Sequence, residues 1–406
     1  MKTNISYVEA KEIILKEVSK KIKTEIIPIE QSLKRCIAED VFATSSNPSS
    51  NNSAMDGYAV RYQDIKNVPV TLSVACTIFA GDLPTTKLKK CEAFEIMTGA
   101  IIPEGANAVV PVENTVSKNG SVVILKSVRK GENIRKKGED YKLKQLLIKK
   151  GTEISPAHIS LLASMGKKEI KVFHKPTVAI LATGSELISL DSNITQGKIY
   201  DSNSYGIAAQ VEAENCLPYR LGRVEDTPRL IKNAILKGLK KDILIVSGGI
   251  SMGKADYVKN VLKDLGAKIL FSKVRQRPGN PFTFAKIEGK PVFLLPGNPV
   301  SVSICFEIYI RPFLKKMTGF KADKEETKKY KIGETIKVKR GRTYFFRVLF
   351  KKIDGEKVAF LTGPQGSGII TSLTKAEGIL VVPESISEIK EGDYYPITPL
   401  SWRKNC

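Results

Sequence analysis

A mostly parallel α/β sheet domain, flanked by smaller β-rich domains, is the fold class this sequence predicts. Three observations predict it. Between Thr177 and Lys316, short apolar runs alternate with helical patterns, the order that builds a parallel sheet with helices on both faces. Two of those runs, Ile243–Val246 and Val292–Leu295, stop abruptly in glycine and proline, as buried strands do at their ends. On either side of this region the spacing shortens to strand and turn, which marks small β domains.

The chain in order justifies each element. Val8 to Ile22 carries apolar residues at Val8, Ile13, Ile14, Val18 and Ile22, close to helical spacing, with Ser6 as cap and Glu9 completing a capping box. Ala43-Thr-Ser-Ser-Asn-Pro-Ser-Ser-Asn-Asn-Ser53 has almost nothing to bury and reads as a linker or mobile loop. Asp56-Gly57, taken alone, reads as a turn. Val70–Ala75, Cys91–Met97, Ala108–Pro111 and Val122–Leu125 read as short strands of a small β domain. Ser155 caps a helix that opens with Pro156 and runs through Met165. Strand Thr177–Ala182, helix Ser204–Cys216, strand Tyr219–Leu221, helix Thr227–Lys240 and strand Ile243–Ser247 follow. Then come helix Ala255–Leu265, strands Lys268–Val274, Phe282–Ile287 and Val292–Leu295, and helix Val300–Lys316, broken at Pro312. Lys321 to Lys329 is a charged linker. Strands return at Ile332–Val338, Tyr344–Phe350, Val358–Leu361, Ile379–Val382 and Tyr394–Thr398, which predicts a closing β domain.

Composition narrows the function. A chain of 406 residues, 42% hydrophobic and 26% charged, holds enough apolar material for several cores. The net charge of +23 is spread along the chain with no run of five basic residues, which favours a solvated surface over a nucleic-acid footprint. Six scattered cysteines without a CxxC pair, and two histidines, argue against zinc and fit a reducing compartment. No apolar stretch is long enough to span a bilayer and no signal core opens the chain. The expectation is a cytoplasmic protein that binds neither nucleic acid nor membrane.

The residues suited to chemistry lie where predicted strands end. Thr183-Gly-Ser-Glu186 follows one strand, Asp226 another, and Ser247-Gly-Gly249 the central one, with Asp256 in the next helix's first turn. Singly, Asp201, Asp226 and Asp256 read as helix caps or dipole partners. Jointly, Glu186, Asp226 and Asp256 gather along one sheet edge beside glycine turns, where open α/β sheets bind ligands. Neither the dinucleotide nor the P-loop glycine pattern is present, so no common cofactor fold is assigned. Carboxylates beside an anion-binding backbone require a cation between them, and Mg²⁺ binds through one or two carboxylates plus phosphate oxygens. Strand alternation places Lys273, Arg275 and Arg277 on one face, next to the first of two Pro-Gly-Asn-Pro turns, Pro278–Pro281 and Pro296–Pro299. Together these suit transfer or cleavage at a phosphate linkage.

Taken as a set, Ser53-Ala-Met-Asp-Gly-Tyr-Ala59, Met97-Thr-Gly-Ala100, Arg135 with Gly138-Glu-Asp140, Ala182-Thr-Gly-Ser-Glu-Leu187, Ser247-Gly-Gly-Ile-Ser-Met-Gly253 with Asp256, Leu295-Pro-Gly-Asn-Pro-Val-Ser301 and Gly363-Pro-Gln-Gly-Ser367 closely resemble the molybdopterin molybdenumtransferase family. These are the molybdenum-insertion enzymes of molybdenum-cofactor synthesis, related to the E domain of gephyrin. The motifs run collinearly from about Ser53 to Ser367. The resemblance implies four domains: an elongated N-terminal domain in two segments (1–43, 138–174), a β-rich insertion (44–137), an α/β molybdopterin-binding domain (175–320) and a C-terminal β-barrel (325–406). It further implies insertion of molybdate or tungstate into adenylylated molybdopterin with release of AMP, a requirement for Mg²⁺, and a homodimer with a composite active site. Transient contact with the molybdopterin adenylyltransferase is a further implied partnership.

Carried over by residue, the catalytic set is Asp56, Asp140, Glu186, Asp226, Asp256 and Lys273, with Glu186, Asp226 and Asp256 toward the metal. Thr98, Arg135, Thr183, Gly184, Ser185, Ser247, Gly248, Gly249, Arg277, Pro296, Gly297, Asn298, Pro299 and Ser367 are expected to bind substrate. Two departures stand out. Arg277 and Asn280 occupy positions where the family often has lysine, and Arg275 is the expected compensation for the cation lost at Asn280. The sequence leaves open whether Arg347 corresponds to a family arginine. The alternatives are the sister adenylyltransferase, against which the flanking domains argue, a non-enzymatic scaffold, and a nucleic-acid binder.

Overall fold

The computed structural model describes residues 1–18, 22–249, 257–320 and 328–403. The chain divides into two compact units. The first comprises Met1–Ala38, Gly151–Ser155 and Glu169–Cys406; the second comprises Glu39–Lys150 and Pro156–Lys168.

The first unit is built on a seven-stranded sheet in the order Lys2–Ile5, Lys268–Val274, Thr283–Ile287, Lys290–Leu295, Ile243–Ser247, Thr177–Thr183, Leu217–Val224. The four strands from Lys290–Leu295 to Leu217–Val224 run parallel, and Thr283–Ile287 is antiparallel to both neighbours. Alternation sorts the strand residues onto two faces. Val178, Ile180, Ile243, Ile245 and Phe293 join the core beneath helices Tyr7–Lys16, Asn203–Ala213 and Pro299–Cys305. Ala179, Leu181, Leu244, Val246 and Leu294 meet Ile231, Ile235, Val258 and Leu262 of helices Pro228–Gly238 and Tyr257–Asp264 on the other. Each fully buried aliphatic or aromatic side chain contributes about 1.5–3 kcal/mol, so the two faces supply most of the driving force. The predicted α/β domain is borne out.

Element ends differ from expectation in instructive ways. The first helix spans Tyr7–Lys16; the Glu9 N–H donates to Ser6 Oγ at 3.2 Å, while the Glu9 carboxylate turns to Lys2 Nζ at 2.6 Å. Pro312 does not break the last helix. A π-helical segment, Phe306–Ile310, joins Pro299–Cys305 to Arg311–Met317, and the Arg311 N–H reaches back five residues to Phe306 O. The proline therefore falls in the first turn of a restarted helix, where its missing N–H costs nothing. The three basic residues do not share one strand face. Lys268–Val274 ends after Lys273, whose left-handed φ of 64° breaks the pleat, and Gln276–Arg277 pair instead with Thr343–Tyr344 of the C-terminal barrel.

That barrel closes through Thr343–Ile353, Glu356–Leu361, Lys328–Ile332, Tyr394–Pro399 and Gly378–Val382, the last pairing back onto the first. Closure leaves no open edge in that ring.

The second unit holds a six-stranded sheet in the order Ala108–Pro111, Gly57–Val60, Glu92–Ile96, Val70–Ile78, Ser121–Ile124, Thr115–Lys118. Gly57, read from sequence with Asp56 as a turn, begins an interior strand, Gly57–Val60. Gly57 is required there: a Cβ would lie 2.0 Å from Val110 O. The Ala43–Ser53 stretch is not a free linker. Its backbone and side chains hold at least three other loops, as described below.

Candidate functional site

At the carboxyl ends of four adjacent parallel strands, the first unit brings together most of the expected residues. Thr183 ends its strand, and Gly184 follows with φ 154° and donates its N–H to Val224 O at 3.2 Å. A Cβ on Gly184 would sit 2.6 and 2.7 Å from the two carboxylate oxygens of Glu186. Glycine there lets the Glu186 side chain fold back over its own turn. The central strand's turn presses on the same place. A Cβ on Gly248 would lie 2.1 Å from Thr183 O, and one on Gly249 would lie 2.5 Å from Thr183 Oγ1. Both glycines have left-handed φ values, 92° and 65°, which a side chain would strain.

Ser247 Oγ donates to Pro296 O at 3.3 Å, and the Gly248 N–H donates to Leu295 O at 3.1 Å. Asn203 Nδ2 donates to Ser247 Oγ at 3.0 Å and Gly297 O at 2.7 Å, joining the helix start to both turns. Gly297 and Asn298 are exposed, while Pro296 is buried and Pro299 starts the following helix. The Val300 N–H donates to Ser367 O at 3.2 Å, so the barrel's Gly363–Ser367 loop meets the start of that helix.

Asp226 lies beyond the Leu217–Val224 strand, and its N–H approaches Ser185 Oγ at 3.5 Å. Burial raises its carboxyl above the usual aspartate range; the Ser185 contact works against this and the nearby Glu186 adds to it. It is not a helix cap: Thr227 holds the cap position before Pro228. Asp201, one residue before the cap position held by Ser202, does accept from a first-turn N–H, that of Ser204, at 3.0 Å. Three polar atoms in this region, Thr183 Oγ1, Asn203 Oδ1 and Asp226 Oδ1, are buried with no hydrogen-bond partner among the described residues. Buried polar atoms are nearly always satisfied, and three orphans at one sheet edge point to a polar ligand.

Two carboxylates, Glu186 and Asp226, are thus placed together. Asp256 lies outside the described residues. Among the described residues, no three His, Cys, Asp or Glu side chains form a metal-holding cluster.

The cations are distributed differently from expectation. Lys273 is half-buried and Arg277 exposed. Arg275 is committed elsewhere, donating to both Glu384 carboxylate oxygens at 3.0 and 3.2 Å and to Asn4 O at 2.7 Å. It anchors the barrel and does not compensate for Asn280, whose Nδ2 donates to Val274 O at 2.8 Å.

Two residues that sequence reasoning passed over, Asn203 and Lys198, belong to this region, together with Arg347, whose role the sequence leaves open. Asn203 lies just before the predicted helix Ser204–Cys216, and the observed helix begins with it. Lys198 Nζ donates to Ser185 O at 2.7 Å, and nothing in its polar loop signals it. Arg347 is fully buried in the barrel; Nε donates to Ser372 Oγ at 3.0 Å and Nη2 to Gly366 O at 3.2 Å, while Nη1 has no partner among the described residues. Burial pulls its pKa down to about 10, still high enough that it is charged at neutral pH. Its one signal in the sequence is a charge within an otherwise apolar strand.

The second unit gathers the remaining expected residues around the Ser/Asn-rich loop. Asp56 Oδ1 accepts from the Thr98 N–H at 2.6 Å and Oγ1–H at 2.8 Å; these two donors, the backbone one first, hold its carboxyl below the usual aspartate range. Asn47 Nδ2 donates to Asp140 Oδ2 at 3.0 Å, Asn51 Oδ1 accepts from the Lys137 N–H at 2.9 Å, and Asn52 pairs with Arg135. The Gly99 N–H donates to Ser53 O at 2.9 Å. Short amide and hydroxyl side chains are what turns need to close, so this low-complexity stretch serves as scaffold.

A site at the switch region of a parallel sheet, backed by a β-barrel, defines the class. Residues 179–316 match the family described as a probable molybdopterin binding domain. Residues 5–166 match the MoeA N-terminal region (domain I and II), and residues 329–400 the MoeA C-terminal region (domain IV). Molybdopterin molybdenumtransferase from Haemophilus influenzae is 32% identical over 97% of this chain and 98% of its own. The protein of that name from Bacillus subtilis is 34% identical over 89% and 86%. Two solved structures of the molybdopterin biosynthesis MoeA protein from Pyrococcus horikoshii superpose with TM-scores of 0.85 and 0.80, at 30% and 28% identity; each match covers 98% of this chain and 99% or 100% of theirs. The chain belongs to the molybdopterin molybdenumtransferase family.

Proposed function

We propose that the chain inserts molybdate or tungstate into adenylylated molybdopterin with release of AMP. The three orphaned buried atoms at the strand ends carry this reading, together with the family. Thr183, Asn203 and the glycine backbone of Gly184, Gly248 and Gly249 bind and orient the phosphate-bearing substrate against the sheet edge. Arg347 offers an N–H without a partner among the described residues, on a buried guanidinium beside the Gly363–Ser367 loop, which suits an oxyanion. Lys273 and Arg277 supply further positive charge.

A divalent cation fits the carboxylates. Asp226 has a buried oxygen without a partner among the described residues and a raised carboxyl beside Glu186, a pair that a cation would relieve. Mg²⁺ would be held by Asp226 and Glu186, with Asp256 as the third ligand, and would neutralise phosphate charge during cleavage of the linkage to AMP. Asp56, which Thr98 keeps ionised, and Asp140 are assigned to the same reaction. The proposed assembly is a homodimer, with the adenylyltransferase as a transient partner.

Purified protein incubated with adenylylated molybdopterin, Mg²⁺ and molybdate or tungstate should release one AMP per cofactor formed. Consumption of ATP with gain of adenylylated pterin would instead favour the adenylyltransferase reaction. Sedimentation at working concentration should give the mass of two chains; a monomer that is fully active would remove the dimer from the scheme.

A further inference from the structure

The two Pro-Gly-Asn-Pro turns are joined by one helix. The second turn, Pro296–Pro299, begins Pro299–Cys305, and the π-helical segment Phe306–Ile310 continues it. That segment carries Tyr309, which is fully buried and stacks on Phe282 with ring centroids 4.6 Å apart. The Tyr309 hydroxyl donates a short hydrogen bond to Gln276 Oε1. Gln276, only 1% exposed, donates from Nε2 to Pro278 O at 3.1 Å and Gly279 O at 3.3 Å. The orientation of this amide is fixed, because both carbonyls can only accept. Gly279 is pressed onto it: with φ 88°, a Cβ there would lie 2.7 Å from Gln276 Nε2 and 2.5 Å from Cys305 Sγ. Gln276 is buried and Arg277, the next residue, is exposed, so the anchor beneath fixes where the guanidinium above begins. On the other side of the turn, Asn280 and Val274 exchange two bonds, Val274 N–H to Asn280 O at 2.9 Å and Asn280 Nδ2 to Val274 O at 2.8 Å. That closes the loop onto Lys273.

We propose that Gln276 and Tyr309 are positioning residues that hold the basic loop Lys273–Arg277 in register with the helix that starts at the second turn. The inference rests on the reading that these two cations receive an anionic substrate. Burial pushes the Tyr309 phenol well above its ordinary value, so it remains a donor throughout the working pH range. A π-helical insertion is a local departure from the best helix geometry and recurs at functional sites; here it aims one hydroxyl at one amide. Unlike the cations, neither residue touches solvent, so each acts only through what it holds.

A double-mutant cycle tests this. AMP release is measured against adenylylated molybdopterin concentration for the wild type, Tyr309→Phe, Arg277→Gln and the double variant, and the same four proteins are titrated with molybdate by calorimetry. Tyr309→Phe is expected to raise KM and the molybdate Kd about tenfold, within the range for coupled neighbours, with kcat changed less than about twofold. In the Arg277→Gln background the same substitution should have almost no further effect. Equal factors in both backgrounds, or a lowered Tm with unchanged KM and Kd, would overturn the proposal and leave the pair as packing. If the wild type releases no AMP while the molybdate titrations still show coupling, the activity reading fails and the positioning role stands. If neither experiment shows coupling, the positioning role falls.

Discussion

Gly184→Ala and Gly248→Ala are the same chemical change at neighbouring turns, yet they are expected to fail differently. At Gly184 the atoms nearest the new methyl are the Glu186 carboxylate oxygens, 2.6–2.7 Å away at the end of a flexible side chain. The side chain can swing aside, so the cost to the fold is the backbone strain at φ 154°, about 1–3 kcal/mol. At Gly248 the methyl meets the carbonyl oxygen of Thr183 at 2.1 Å, within the sheet edge itself, and φ 92° adds similar strain. Backbone cannot swing, so the loss there should exceed about 4 kcal/mol, the tail reserved for severe core disruption. Urea denaturation followed by circular dichroism measures both costs, and AMP release measures function. Gly184→Ala should remain folded at 25 °C but lose activity about a hundredfold, because the displaced carboxylate no longer lies over its turn. Gly248→Ala should be largely insoluble or unfolded. Wild-type AMP release from Gly184→Ala would refute the placement of Glu186 in the chemistry, and a well-folded Gly248→Ala would refute the close packing of the two turns.

Other expectations follow from charge. Asp226 titrates higher in the fold than in the unfolded chain, so its contribution to stability is present in acid and lost as pH rises through the folded value. Metal-free Asp226→Asn should therefore melt higher than the wild type at pH 7, while activity falls; a lower Tm would mean the ionised carboxylate is paired. At the opposite end of the sheet, burial alone would raise Asp242, but Lys23 Nζ at 2.8 Å and two bonds from Thr177 outweigh it and bring the carboxyl down to about 2. Its contribution is present above pH 3.8 and lost as pH falls toward 2; Asp242→Asn should cost about 1–2 kcal/mol at pH 7, allowing for solvent screening of Lys23. Thr98→Val removes one of two donors to Asp56, which should shift the acid limb of the pH–activity profile upward; an unmoved limb would place Asp56 outside the titrating step.

Much of the fold was legible because the strongest signals are local. Ile243–Ser247 and Lys268–Val274 appear where apolar runs and glycines place them, and the helices between follow their 3.6-residue period. The strand-end carboxylates were legible for the same reason, since turn glycines and acidic residues adjoin each run. What stayed hidden depends on contacts between distant segments. The Ala43–Ser53 stretch has nothing to bury, so composition reads it as free, whereas its amides are satisfied by turns such as Tyr141 and Lys137. Lys273, Arg275 and Arg277 alternate in sequence, but a left-handed Lys273 and a Glu384 from the barrel assign them three separate fates. Gln276 stands between two arginines, and nothing local in the sequence marks it. Only the packing of Tyr309 against it shows why an amide stands there.

The most direct test is AMP release from adenylylated molybdopterin by the wild type, Glu186→Gln and Asp226→Asn, with Mg²⁺ and molybdate present and substrate binding measured in parallel. The strand-end site predicts that both variants bind the pterin nucleotide within about threefold of the wild type but release AMP at least a hundredfold more slowly. Wild-type rates in both variants would contradict it.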